Sequence, residues 1–135
     1  MDLNKALNIS AAGMDAQTMR LRVIAENLAN QDTTGSSPGA DAYRRKTITF
    51  ENRVDASSGA ATVRVKQIGQ DKAAQPLRYD PSNPGANTSG YVKTPGVNSF
   101  IEVMDMREAE RSYSANLSVL QATRSMLNRT IALLQ

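Results

Sequence analysis

Four carboxylates near the start of the last long segment are the residues best placed to do chemistry. They are Glu102, Asp105, Glu108 and Glu110. Carboxylates this close in sequence could bind a metal ion or act as an acid–base pair. Acidic side chains in the first turns of a helix also stabilise the positive end of its dipole, and we favour that structural interpretation.

The rest of the composition argues against catalysis. The chain has no His and no Cys, so it lacks the commonest general base, the thiolate nucleophile and the usual zinc ligands. Ser and Lys are present, but no spacing singles out a dyad, and the scattered glycines form no phosphate-binding loop. We therefore expect no enzyme: no catalytic, cofactor-binding or metal residue and no small-molecule substrate.

The positive charge is too dispersed to indicate nucleic-acid binding. The net charge is +3 over 135 residues. Arg44, Arg45 and Lys46 form the only basic triplet, and no aromatic residues lie among them. A solvated surface is the favoured interpretation, and DNA binding is a weaker hypothesis. No apolar run is long enough to span a membrane, and the N-terminus lacks a signal-peptide pattern.

The C-terminal segment, residues 97–135, is predicted to be a long helix with two apolar faces. No Pro or Gly follows Gly96, and Ser99 and Glu102 have the spacing of a capping box that would start the helix. The first apolar seam comprises Tyr113, Leu117, Leu120, Leu127, Ile131 and Leu134. The second comprises Ala115, Val119, Ala122, Met126 and Leu133. Two residues turn a helix by roughly 200°, so the seams lie on nearly opposite faces.

The N-terminal segment, residues 1–30, shows the same pattern. Its heptad grid comprises Leu3, Leu7, Met14, Leu21, Ile24 and Leu28, with Ser10 and Gln17 in the polar slots. Its second seam comprises Ile9, Ala12, Ala16, Met19 and Val23. Gly13 is either tolerated within the helix or required for close approach of another helix backbone. Asn30 is predicted as a left-handed cap, whereas Asn27 could end the helix or bond across a subunit boundary.

The middle segment, residues 31–96, holds all five Pro residues and every Gly except Gly13, so it cannot be mainly helical. Alternation in residues 47–50 and 62–66 predicts a hairpin around a loop at 55–61, and 70–96 is predicted as mostly extended loop. The predicted fold is mainly α with a small β insert. The two terminal helices pair antiparallel as a coiled-coil-like hairpin, with the Pro/Gly-rich insert at one tip.

Two helices with two apolar faces each have too little partner surface within one chain. Pairing covers one seam of each helix, and the remaining seams predict an assembly. Because the seams differ, the contacts should be heterologous and build rings or fibres. The predicted subunit-packing residues are Leu7, Met14, Met19, Leu21, Ile24, Asn27, Leu28, Tyr113, Leu117, Val119, Leu120, Met126, Leu127, Ile131 and Leu134. A soluble helical adaptor that binds a partner helix is the alternative.

Three motifs occur in a fixed order along nearly the whole chain. The first comprises residues 12–17 (AGMDAQ), 20–30 (RLRVIAENLAN) and 34–35. The second comprises residues 79–84 (YDPSNP) and 90–95 (GYVKTP), and the third comprises Glu102, Met106 and residues 109–116 (AERSYSAN) and 126–127. The outer two resemble the signatures of flagellar rod and hook proteins. The middle one, with the short length, narrows the resemblance to proximal-rod proteins of the bacterial flagellar basal body.

The resemblance implies a structural role. Such proteins are exported unfolded by the flagellar type III apparatus without a cleaved signal peptide, and they polymerise at the growing tip. Their terminal helices form a tube around the export channel, and the rod crosses the periplasm and transmits motor torque. The implied partners are other copies of the chain, other rod proteins (FlgB, FlgF, FlgG and FliE) and the export apparatus. An adaptor would not account for the middle motif.

Overall fold

The computed structural model describes residues 3–56 and 59–133. Two helices, α1 (Leu3–Ala29) and α2 (Ser99–Ala132), flank four strands. The strands are β1 (Lys46–Val54), β2 (Ala61–Gln70), β3 (Leu77–Tyr79) and β4 (Tyr91–Lys93). The prediction of two terminal helices separated by a small β insert is confirmed.

Strands β1 and β2 form the predicted hairpin, and both strands are longer than the alternation indicated. The Asp55 amide donates to the Ala60 carbonyl (2.8 Å) near the turn, and the Asp71 amide donates to the Arg45 carbonyl (2.8 Å) at the far end. Rising numbers on β2 therefore pair with falling numbers on β1, so the strands run antiparallel. An ion pair between Arg64 and Glu51 (2.5 Å) joins them across one face.

A second hairpin lies in the segment that was predicted as extended loop. Strand β3 pairs antiparallel with β4, with Arg78 opposite Val92. The rings of Tyr79 and Tyr91 meet edge to face, with centroids 5.3 Å apart. Residues 70–96 are mostly loop, as predicted, and only these two short strands were not anticipated. Strands of three residues are too short for alternation to be recognised in the sequence.

The helix ends differ from the predicted caps. Asn98, not Ser99, caps α2, since its Oδ1 accepts hydrogen bonds from the Phe100 (3.0 Å) and Ile101 (3.4 Å) amides. No described residue other than glycine has a positive φ, so Asn30 is not a left-handed cap. The Asn30 Nδ2 instead donates to the Glu26 carbonyl (2.8 Å).

The chain forms two compact units, and each helix contributes to both. Unit 1 comprises Met1–Leu21, Ile48–Gln67 and Met106–Gln135, and unit 2 comprises Arg22–Thr47 and Ile68–Asp105. The buried side chains in the described part of unit 1 are small: Ser10, Ala16, Ala60, Ala109 and Thr123. In unit 2 they are Val23, Ile24, Asn27, Ala42, Val92, Pro95 and Glu102. Neither unit has a core of large aliphatic or aromatic residues among the described positions.

Within unit 1 the hairpin lies along the middle of α1. Ala12, Ala16 and Met19 share the lining of a groove of about 390 Å³ with residues 62–65 of β2. The second seam of α1 was predicted to remain exposed to solvent in the single chain, but Ala16 is only 3% exposed. The prediction failed at this point because it placed the insert at the tip of the helix pair.

Gly13 marks a close approach of the two helices within unit 1. A Cβ atom built at Gly13 would lie 2.9 Å from Asn116 Nδ2 on α2, which is closer than side chains normally pack. Asn116 cannot turn away freely, because its Nδ2 also donates to the Ser112 carbonyl (3.0 Å). The glycine therefore has a packing role, but the group that approaches it is the Asn116 side chain and not a helix backbone.

Gly13→Ala is therefore expected to lower the free energy of unfolding by about 0.5–1.5 kcal/mol, because overpacking costs more than the roughly 1 kcal/mol gained in helix preference. In an Asn116→Ala background the same change should raise it by about 1 kcal/mol, since the obstructing amide is gone. Urea unfolding of the four proteins of this cycle, followed by circular dichroism, measures both effects. An identical effect of Gly13→Ala in both backgrounds would show that Asn116 does not limit the approach.

Candidate assembly surfaces and a buried polar cluster

A buried polar cluster in unit 2 is centred on Asn27, which is 1% exposed. Its Nδ2 donates to the Lys46 carbonyl (2.9 Å) and to Glu102 Oε2 (3.3 Å). Its Oδ1 accepts from the Lys46 amide (2.8 Å) and from the Tyr43 hydroxyl (2.9 Å). An amide side chain has two donors and two acceptor sites, so Asn27 is fully satisfied within the chain.

Glu102 supplies a buried carboxylate from the first turn of α2. It is 0% exposed, and its Oε1 pairs with Arg45 Nε at 2.5 Å, while Oε2 accepts the bond from Asn27. The carboxylate therefore does not bond to the backbone at the start of its own helix, and the capping-box prediction was wrong. It belongs instead to a contact between α1, α2 and residues 43–46, which we call the polar cluster: Asn27, Tyr43, Arg45, Lys46 and Glu102.

The basic triplet is not a free surface patch. Arg44 pairs with Asp41 (3.1 Å), Arg45 with Glu102 and Lys46 with Glu26 (2.6 Å). The pairs of Arg44 and Lys46 remain partly exposed to solvent, whereas Arg45 meets the buried Glu102. Each cation of the triplet is thus paired with a carboxylate of its own chain.

The ion pairs shift the pKa values of their members. The hydrogen bond from Lys46 lowers the pKa of Glu26, and the same contact raises the pKa of Lys46. Asp41 also meets Lys93 (2.6 Å), and the hydrogen bonds from Lys93 and then Arg44 lower its pKa. Burial raises the pKa of Tyr43, whose hydroxyl donates to Asn27 Oδ1.

Contacts between α1 and α2 occur in each unit. In unit 1 Gly13 approaches Asn116, and Arg20 pairs with Glu108 at 3.5 Å. In unit 2 Asn27 bonds to Glu102, and the Ser99 hydroxyl donates to Gln31 Oε1. Several of these contacting side chains are polar.

The sequence-predicted packing residues divide into three groups by exposure. The buried ones are Ile24 and Asn27. The half-buried ones are Leu7, Met14, Met19, Leu21, Leu28, Tyr113, Leu120 and Leu127. The exposed ones are Leu117, Val119, Met126 and Ile131. Leu134 lies outside the described residues.

Burial on α2 follows a regular grid, which we call the inner seam. In unit 1 it comprises Met106, Ala109, Tyr113, Asn116, Leu120, Thr123 and Leu127, all buried or half-buried. The steps of three and four residues are those of a helix that packs against another helix. Leu117 and Ile131, which the sequence placed on this face, are exposed (36% and 49%).

The second predicted face of α2 is exposed along its length in unit 1, and we call it the outer stripe. It comprises Ala115, Val119, Ala122, Met126 and Leu133. Val119 is 50% exposed, Met126 54% and Leu133 87%. The first turns of α2, in unit 2, also expose Phe100, Ile101 and Met104. Exposed apolar surface on this scale marks an interaction site more often than a free surface.

No metal or membrane site accompanies these surfaces in residues 3–56 and 59–133. No group of three acidic side chains there could hold a metal ion. None of the described helices is both long and apolar enough to cross a bilayer.

The polar cluster was missed in the sequence, although one signal for it exists. Glu102 continues the spacing of the inner seam, four residues before Met106, so an acidic residue stands on the buried face of its helix. A carboxylate at such a position requires a partner. Nothing local in the sequence identifies Arg45, which lies 57 positions away, as that partner.

Comparison with known families places these helices in a defined class. Residues 88–133, which include all of α2, match the family described as "Flagellar basal body rod FlgEFG protein C-terminal". The class is therefore that of flagellar axial proteins, as the sequence motifs indicated.

Full-length relatives define the family within this class. The chain is 50% identical over 133 residues to the flagellar basal-body rod protein FlgC of Agrobacterium fabrum, covering 98% of this chain and 96% of the relative. It is 39% identical to FlgC of Salmonella typhimurium, with 98% of each chain covered, and 33% identical to FlgC of Bacillus subtilis, with 93% and 94% covered. The chain belongs to the FlgC family of flagellar basal-body rod proteins. It is a structural, non-enzymatic component of the rod in the basal body.

Proposed function

We propose that this chain is a subunit of the proximal rod and polymerises through its terminal helices into a tube that surrounds the export channel and transmits torque. The observation that carries the proposal is the outer stripe. Burying a large apolar side chain contributes roughly 1.5–3 kcal/mol, so Val119, Met126 and Leu133 together supply substantial contact energy. Since α2 offers this stripe while its inner seam faces α1, contacts between copies are heterologous.

The proposal includes antiparallel pairing of α1 and α2 in the subunit. In unit 1, Gly13 meets Asn116 and Arg20 meets Glu108, so positions rise on α1 as they fall on α2. In unit 2, Asn27 meets Glu102 and Gln31 meets Ser99 in the same sense. The sums of the paired residue numbers stay between 128 and 130, as one antiparallel register requires.

The proposed division of labour follows the predicted boundaries. Residues 1–30 and 97–135 supply the helices of an inner helical domain, and residues 31–96 form the insert. The inner seam holds the two helices together, and the outer stripe faces neighbouring subunits. We assign Asn27 to contacts inside the subunit, because its hydrogen bonds are all made within the chain. Met19 packs towards the β1–β2 hairpin in this proposal.

The proposed partners are other copies of the chain and the rod proteins FlgB, FlgF, FlgG and FliE. The chain reaches them through the flagellar type III export apparatus, without a cleaved signal peptide. The outer stripe and the exposed first turns of α2 are the surfaces offered to these neighbours. The side chains exposed in those first turns include Phe100, Ile101 and Met104.

Sedimentation velocity of the purified chain separates this proposal from a helical adaptor. A rod subunit should sediment as species whose size grows with protein concentration, because heterologous contacts arranged as an open helix leave a free surface at each end for further copies. An adaptor should remain a species of constant low order, with its stripe covered only when a partner helix is added. A concentration-independent monomer with full helical circular dichroism would contradict assembly through the outer stripe.

A further inference from the structure

Outside the polar cluster, the fit of Asn116 against Gly13 is the clearest feature that distinguishes one register of α1 and α2 from another. A slip of seven residues, about 10.5 Å, presents the same helix faces to each other. It would place Gly13 opposite Ala109 or Thr123, which are small, and Asn116 opposite Ala6 or Arg20. Ala6 adds a single Cβ atom there, so this fit alone is a weak determinant of register. The slip would also break the exposed Arg20–Glu108 pair, but such a pair contributes little to stability.

The polar cluster is the part of the contact that a slipped register cannot reproduce. The Lys46 backbone and the Tyr43 hydroxyl hold residues 43–46 against Asn27 on α1, and this places Arg45 beside the same amide. Glu102 on α2 fits only where it meets both Arg45 and Asn27. One slip would bring Glu102 opposite Arg20, but the half-buried Arg45 would then lose its carboxylate and the buried Asn27 would lose one of its two acceptors, which is costly.

We propose that Asn27, Arg45 and Glu102 form a register lock that sets the pairing of α1 and α2. Asn27 on α1 and Arg45 supply the hydrogen-bond donors, and Glu102 on α2 supplies the carboxylate that accepts from both. Buried polar groups of this kind select one arrangement among several of similar apolar content, often without raising stability. This inference rests on the antiparallel pairing proposed above, and it names the residues that determine the register of that pairing.

The lock has a consequence for assembly. A slip of one heptad would move the outer stripe by about 10.5 Å relative to α1. Neighbouring subunits repeat at fixed positions in a helical lattice, so a slipped subunit would not present its stripe to the next copy. The lock therefore determines which subunits can be incorporated.

Crosslinking in an otherwise cysteine-free chain tests the lock directly. The sequence contains no Cys, so pairs can be introduced without background. Arg20→Cys with Glu108→Cys reports the observed register, and Arg20→Cys with Ala115→Cys or Ile101→Cys reports slips of seven residues in either direction. Each pair is treated with a short bifunctional thiol reagent, and the intramolecular products are compared.

With the lock intact, the 20/108 pair should crosslink in preference to both slipped pairs. In Arg45→Met/Glu102→Leu, which replaces the ion pair by apolar residues, we expect the ratio of 20/108 to slipped products to fall by about tenfold. The matched control is Arg64→Met/Glu51→Leu, which removes the ion pair of the hairpin. The control should leave the ratio unchanged.

Glu102→Gln keeps the result decisive if the double variant fails to fold. It preserves the size of the side chain and removes the charge that Arg45 meets, so slipped products should rise. Crosslinking at 20/108 alone in Glu102→Gln, or in a folded double variant, would overturn the lock. If the 20/108 pair gave no crosslinked product in a chain that keeps Asn27, Arg45 and Glu102, the antiparallel pairing would be overturned as well. A lock-dependent register in a chain that does not polymerise would instead contradict the proposed assembly and leave the lock standing.

Discussion

Cells whose copy of this chain carries Leu120→Asp are expected to build no rod and to lose swimming motility. Leu120 lies on the inner seam, seven residues from both Tyr113 and Leu127, and is half-buried in the single chain. Asp removes the apolar contact and places a charge between the helices, so we expect the free energy of unfolding to fall by about 2–4 kcal/mol. Swimming in soft agar and thermal unfolding of the purified chain measure the two effects.

The adjacent residue provides a matched control for Leu120→Asp. Gln121 is exposed on the same helix turn, so Gln121→Asp adds the same charge outside the seam. It should change stability by less than about 0.5 kcal/mol and leave motility intact. Leu120→Met, which conserves volume, should also swim. Normal swimming of the Leu120→Asp strain would show that the inner seam does not hold the subunit together.

The long helices could be predicted because their determinants are local. Residues 97–135 contain no Pro or Gly, and apolar residues recur at helical spacing, so α2 was predicted to within a few residues of its observed bounds. The β1–β2 hairpin was also predicted, from alternation and from the turn residues between its strands. In these elements the pattern and the propensity of the chain agree, and tertiary contacts only lengthen the strands.

The predictions that failed concern residues whose partners lie far away in the sequence. Asn98 and Ser99 are both residue types that cap helices well. The Ser99 hydroxyl donates to Gln31 Oε1, a contact that cannot be recognised in the local sequence. Glu102 has a ready explanation as a dipole-stabilising acid, but its actual partners lie on α1 and in residues 43–46. Such contacts join residues far apart in the sequence, and periodicity carries no information about them.

The distribution of burial explains why the apolar faces were assigned only in part. Small residues fill the closest contact in unit 1, so large apolar side chains such as Leu117 stay at its edge. Sequence periodicity identifies an apolar face, but it cannot say which side of that face a neighbouring helix covers. Within unit 1, the hairpin further covers a part of α1 that the helix pattern alone left free.

The outer stripe provides the test that separates folding of the subunit from its assembly. Val119→Asp/Met126→Asp places two charges on side chains that are exposed in the single chain. Helical circular dichroism and the urea midpoint of the purified chain should therefore stay close to their original values, within about 0.5 kcal/mol per site. Concentration-dependent association and swimming should both be lost, because charges cannot be buried unpaired against a neighbouring subunit.

The control for the outer stripe is Gln121→Asp/Asn128→Asp. These two side chains are also exposed on α2 and have the same seven-residue spacing. The added charge is the same, but both positions lie more than a quarter of a helix turn away from the stripe. This variant should associate and swim normally. Equal loss in both variants would show that charge on α2 blocks assembly wherever it is placed. Normal swimming of Val119→Asp/Met126→Asp would move the subunit contact to another face, of which the exposed first turns of α2 are the next to test.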